Sequence, residues 1–340
     1  MNAYKGAHAI VGAWVHGSLF ERNVRAMLVL QGAISLGLLW SLMAIGVYLT
    51  FRILGMPDLS VEGTIILGAS MAASRVSQGG DPFIATGLAL LVGCAGGFVT
   101  GVLHTKFKIP PILSGILTMV GSYSIAIRIM GTSNVALPPH GPQRVTSVFT
   151  FLQGLGLTRH VSIILLGSIV VLVVCALLYW FFATELGSAI RATGNNPQMV
   201  KAQGVNTDFM IILCLMISNG MVGLAGGLVA QSQGFASVDM GVGTIVIGLA
   251  SVIIAEVLFR VRSFWARLAS LVAGAILYRL IIALVLGMGM LPTDLRLFQA
   301  ITVAVALTLP LIREMLVKVI LPLIREKLAK IFVKFNGRRA

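Results

Sequence analysis

The chain reads as runs of about twenty apolar residues separated by short polar intervals, the spacing of bilayer-crossing helices at 1.5 Å rise per residue. Uninterrupted runs fall at 28–50, 82–103, 112–130, 161–183, 209–231, 266–286 and, shorter, 297–312. Two further apolar runs are broken in mid-course. Residues 51–76, FRILGMPDLSVEGTIILGASMAASRV, contain Gly55, Pro57, Asp58, Ser60, Glu62 and Gly63, and residues 233–259, QGFASVDMGVGTIVIGLASVIIAEVLF, carry Asp239 ahead of Gly243. Carboxylates and proline at membrane depth are costly unless the backbone is broken there and faces a cavity or protein interior. Both runs therefore read as discontinuous spans.

The two broken runs echo each other. Gly63, Thr64, Ile65, Ile66, Leu67 and Gly68 match Gly243, Thr244, Ile245, Val246, Ile247 and Gly248, and the neighbouring spans recur at similar offsets. The pattern predicts an all-α polytopic membrane protein of about nine spans, arranged as four, one connector and four. An odd connector inverts the second repeat, and paired breaks in inverted halves point to a path near the midplane. Residues 1–27 form an interfacial segment, 28–312 the transmembrane domain, and 313–340 a basic amphipathic tail attracted to anionic lipid. Nine spans place the N-terminus outside, where Lys5, Arg22 and Arg25 sit poorly, so either that segment also crosses or the first break is re-entrant.

Composition narrows the class. With 57% hydrophobic residues in 340 and a mean hydropathy of +0.98, the chain is too apolar for a soluble domain. Its net charge of +14 lies mostly in the terminal segments and short loops, which fits a lipid surface and not a nucleic-acid partner. Cys94, Cys175 and Cys214 lie in apolar runs and read as packing residues; the five histidines show no metal-ligand spacing. No GxxxxGK[ST] phosphate loop and no catalytic constellation are present, so the chain reads as no enzyme and no ATPase of that class. The first residues show no cleavable-leader pattern.

The longest polar interval between spans is 184–208, TELGSAIRATGNNPQMVKAQGVNTD. Gly187–Thr193 and Pro197–Gln203 can each turn helically, with the break supplied by Gly194, Asn195, Asn196 and Pro197. Arg191 and Lys201 favour the cytoplasmic side, as do His104, Lys106 and Lys108 in the connection after the third span. Two readings stand: a capped connection between helices, or a docking elbow for a soluble partner.

The string from Gly187 through Arg191, Gly194, Pro197, Met199, Gly204, Val205 and Asn206 resembles the cytoplasmic loop of permease subunits of branched-chain amino-acid and ribose type ABC importers. The resemblance covers roughly 32–310. It implies a coupling elbow that sits in a cleft of a separate ATPase, with Gly187, Arg191, Gly194, Asn195, Asn196, Pro197, Lys201 and Gly204 as coupling candidates. It also implies a second permease copy, normally a homodimer, an extracytoplasmic solute-binding protein, and residence in the bacterial inner membrane. ATP and Mg would belong to the ATPase, with no cofactor on this chain. The segment MPDLSVEGT departs from the branched-chain pattern of Asn, Ala and His before Gly, and looks more like a subgroup associated with aromatic amino acids.

Candidates for lining or gating the path are Asp58, Ser60, Glu62, Thr64, Asn219, Ser237, Asp239 and Thr244. Asp58 or Ser60 can equally be a helix cap, with Glu62 complementing the dipole of its own half-helix. Glu256 is expected to pair with Arg260 four residues on, and the deep Arg279 with Asp239 or Asp58. A competing class is an ion-coupled secondary transporter using Asp58, Glu62 and Asp239; an elbow that responds to mutation only in an ATP-driven system separates the two.

Overall fold

The apolar runs fold as helices because, in lipid, a helix is the one open-ended structure that satisfies its own backbone. The computed structural model describes residues 19–137, 146–154, 156–259, 261–287, 294, 297–305 and 308, with side chains from Met27 onward. Its helices are α1 (Leu19–Tyr48), α2 (Ser60–Ser77), α3 (Pro82–Thr105), α4 (Pro111–Met130), α5 (Arg159–Ala183), α6 (Glu185–Asn195), α7 (Pro197–Ala202), α8 (Thr207–Gln233), α9 (Thr244–Leu258) and α10 (Phe264–Gly287). Seven helical segments among the described residues are long and apolar enough to span a membrane. The shorter α2 begins inside the bundle. The last expected span is helical over 297–305. Its remainder, the first eighteen residues and the basic tail lie outside the described residues.

Helix α8 is the axis of the bundle, buried almost without interruption from Ser218 to Ser232. Small residues let its neighbours approach that closely. On α3, Gly93 and Gly97 rest on the carbonyls of Asn219 and Leu215, and on α2, Gly68 faces the backbone of Gly223. A Cβ at any of the three would overlap main-chain atoms, so helix separation here is set by glycine. Apolar side chains of α1, including Leu39, Leu42, Met43 and Ile45, complete the core.

Helix ends carry the expected chemistry. Asp81 precedes Pro82 and accepts from the amides of Phe83 (2.8 Å) and Ile84 (3.0 Å). Not expected was a short antiparallel ladder, β1 (Asn134–Ala136) with β2 (Phe235–Ser237), pairing Asn134 with Ser237 and Ala136 with Phe235. It joins the segment after α4 to the segment after α8, and Val76 at the end of α2 packs in the same cluster as Leu137 and Ala236. One helical turn, Thr150–Gln153, lies in the connection between α4 and α5. The ladder marks one end of the bundle; the elbow, α6 and α7, marks the other.

Candidate functional site

The first break is built by overshoot and return. Helix α1 runs past Thr50 into a π-helical turn, Leu49–Ile53, and reaches the elbow. The chain then turns back through Gly55, whose φ of 70° lies in the left-handed region, and α2 starts at Ser60. Between them Asp58 is buried at 5% exposure. Its Oδ1 accepts from the Ser60 amide (2.9 Å) and hydroxyl (2.6 Å), and its Oδ2 accepts from Asn219 Nδ2 (2.8 Å). Asn219 Oδ1 lies 3.2 Å from the Ser60 hydroxyl, and Asn219 also donates to the Leu215 carbonyl at 3.2 Å.

The carboxylate thus sits at a helix N-terminus, held by oriented donors, which offsets the cost of removing it from water. Gly115 of α4 closes the site: a Cβ there would stand 3.2 Å from Asp58 Oδ1 and 2.8 Å from the Leu59 amide. Thr64, one turn on, turns its hydroxyl back to the Ser60 carbonyl (2.9 Å).

Among the described residues no cation pairs with Asp58, Arg279 included. The Arg279 guanidinium lies over the Trp40 ring, 4.1 Å from its centroid, so the expected pairing with Asp58 or Asp239 is replaced by a cation–π contact between α10 and α1. Asp239 is exposed, in a 3₁₀ turn capped by Ser237, whose hydroxyl accepts from the Asp239 amide (3.3 Å).

The second break follows that turn. Gly243, with φ of 79°, leads into α9, and the Thr244 hydroxyl donates to the Gly241 carbonyl (2.9 Å). The Gly243 amide donates to Glu62 Oε1 at 3.0 Å. Glu62 belongs to the first turn of α2, so one carboxylate serves the starts of both half-helices. From this meeting point α2 runs to the strand end and α9 to the elbow end, where Glu256 meets Arg52. Sequence reading placed Glu62 beside its own helix dipole; the partner 181 positions away left no signal in the chain.

Glu62→Ala is expected to leave the Gly243 amide without its acceptor and the α9 dipole uncompensated, costing about 1–2 kcal/mol. Glu62→Gln, which keeps an acceptor oxygen, should lose less. Thermal unfolding in detergent measures both; equal losses would remove the charge from the explanation.

At the elbow, Asn196 separates α6 from α7. Its amide donates to the Ala192 carbonyl (2.9 Å) and its Oδ1 accepts from the Met199 amide (3.1 Å), so one residue ends the first helix and caps the second. Gly187 packs on the Phe182 backbone and Gly194 on the Ile53 carbonyl. Arg191 donates Nη2–H to the Phe182 carbonyl, with its guanidinium carbon 5.8 Å from the Phe182 ring and 5.9 Å from that of Phe264. These three residues seat the elbow on the bundle. Asn195, Asn196, Pro197, Lys201 and Gly204 are exposed, together with Met199.

Three long-range ion pairs escaped sequence reading because each joins residues far apart. Arg52 binds Glu256 at 2.8 Å, and Asp208 lies 3.5 Å from Lys106 and 3.9 Å from Lys108. Glu256 therefore has a partner in the π turn after α1; Arg260 lies outside the described residues.

The profile of the family described as "Branched-chain amino acid transport system / permease component" matches residues 29–309. The chain belongs to this family. A tyrosine transport system permease protein from Clostridioides difficile (strain R20291) is 40% identical over 266 residues, covering 78% of this permease and 86% of that protein. A probable branched-chain amino acid transport permease protein from Methanocaldococcus jannaschii is 24% identical over 214 residues, 61% of this chain and 67% of its own. An autoinducer 2 import system permease protein from Salmonella typhimurium is 27% identical over 223 residues, 64% and 60% of the two chains. No solved structure matches. This permease is the membrane component of an ABC-type transport system and a multi-pass protein of the bacterial inner membrane.

Proposed function

We propose that this permease is the translocation subunit of an ATP-driven importer that takes up an amino acid, tyrosine being the first to test, from an extracytoplasmic binding protein. The substrate class is suggested by the 40% identical tyrosine system permease. The observation that carries the mechanism is the elbow, whose base is seated on Phe182 and Ile53 while its tip, Asn195 to Met199, stays exposed. Such a surface can be gripped by a soluble partner and transmit the pull to the bundle.

In this reading the elbow faces the cytosol and a pair of ATPase subunits holds the ATP and Mg. Two permease copies form the path between them, and the strand end faces the binding protein. Closure of the ATPase pair moves the elbows, and the two inverted halves tilt about the meeting point of α2 and α9. Asp58, Ser60 and Asn219 tie the first break to α8, so that α2 and α8 move as one body. Glu62, half-buried between the two half-helix starts, and exposed Asp239 are the carboxylates placed to meet a solute at the path.

The test is reconstitution of the permease with an ATPase and binding protein from the same organism, in vesicles with ATP trapped on the ATPase side. Uptake of labelled tyrosine is expected only with ATP and the binding protein. Uptake driven by an ion gradient without ATP would instead establish the secondary-transporter class.

A further inference from the structure

Helix α9 begins at Glu62 and ends at a second carboxylate contact. Glu256 in its last turn takes two hydrogen bonds from Arg52, Nε to Oε1 at 2.8 Å and Nη2 to Oε2 at 3.1 Å. Arg52 stands in the π turn that closes α1, one residue before Ile53, whose carbonyl carries Gly194 of the elbow. The same short stretch of backbone therefore touches the elbow on one side and holds α9 on the other.

A two-point guanidinium–carboxylate contact fixes direction as well as distance. The two contacts of Asp208, by contrast, use lysine. Alongside the Arg52–Glu256 contact, Gly248 of α9 packs against Val47 and Met43 of α1, and Gly274 of α10 packs against Ser251 and Ala255 of α9. The directional polar contacts of α9 lie at its two ends, Gly243 on Glu62 and Glu256 on Arg52.

We infer that the Arg52–Glu256 pair is a positioning link for transport: it makes α9 follow the elbow, so that displacement at Gly194 reaches the Gly243–Glu62 contact where the half-helices meet. Neither residue touches the solute. The inference rests on the importer reading and adds the route by which the pull travels. A pair this exposed, with side chains 56% and 33% accessible, contributes little to stability, so its loss should uncouple transport without unfolding the protein.

The experiment uses the full complex in vesicles, measuring solute uptake and ATP hydrolysis together. Arg52→Glu and Glu256→Arg are each expected to leave the melting temperature and ATPase copurification unchanged while reducing solute moved per ATP at least tenfold. The double exchange, Arg52→Glu with Glu256→Arg, should recover most of it, a rescue that simple packing would not produce. Should a reversed charge prevent folding, Arg52→Gln and Arg52→Lys replace it, the second retaining charge without the fork and expected to fall between Gln and wild type. Unchanged uptake per ATP in the single variants, or no recovery in a stably folded exchange, overturns the link. Wild-type complex that shows no ATP-driven uptake overturns the importer reading and the inference with it, an outcome separate from intact uptake that ignores the pair.

Discussion

Asn219→Leu is expected to destabilise the bundle core strongly. The leucine removes the donor 2.8 Å from Asp58 Oδ2 and leaves half of a buried carboxylate facing hydrocarbon. Breaking a buried charged contact from one side costs about 3 kcal/mol or more. Ser218→Ala is the control one position away, because it removes only a neutral hydrogen bond to the Gly46 carbonyl (2.7 Å), worth about 1 kcal/mol. Cys94, Cys175 and Cys214 supply the readout, being buried or half-buried thiols that a fluorogenic maleimide reaches on unfolding. The leucine variant should melt about 5 °C or more below wild type, and the alanine variant much closer to it. Equal shifts would mean that the Asp58 network is not what holds the first break against α8.

Gly194→Val is expected to abolish coupling while sparing insertion. A side chain at this position would occupy the place of the Ile53 carbonyl, so the elbow must lift away from the π turn. The bundle itself keeps its contacts, because α8 packs on α3 and α2 through glycines remote from the elbow. Uptake should fall at least tenfold, the scale of a misplacement of about 1 Å in a positioned contact, with normal membrane yield. Gln203→Ala, on the exposed side of the elbow, is the comparison and should retain most activity if seating, and not surface chemistry, is the cause. Wild-type uptake in Gly194→Val would show that the elbow need not rest on Ile53 to work.

Arg191 shows how sequence and structure divide the labour. Its charge reads only as a vote for the cytoplasmic side, and the family resemblance makes it a coupling candidate, while its guanidinium is turned onto the Phe182 carbonyl and the rings of Phe182 and Phe264. Arg191 keeps an exposed surface like Asn195 to Met199, Lys201 and Gly204, whereas Gly187 is buried and Gly194 half-buried against the bundle. Charge alone could not distinguish these roles, because both suit a cation at a membrane edge.

Hydrophobic run length and the placement of Gly, Pro, Asp and Glu were enough to specify a polytopic helical membrane protein, interruptions at Gly55–Ser60 and before Thr244, and a two-part polar elbow. These features are local: they follow from a helix satisfying its own backbone and from residues that stop or cap it. Which distant groups meet these carboxylates was decided by tertiary structure alone. Asp58 finds Asn219, Glu62 finds Gly243 and Glu256 finds Arg52 across sequence separations of 161, 181 and 204 positions. A buried charge requires some partner, but one chain offers many of equal chemistry, and only helix packing selects the one that lies within reach.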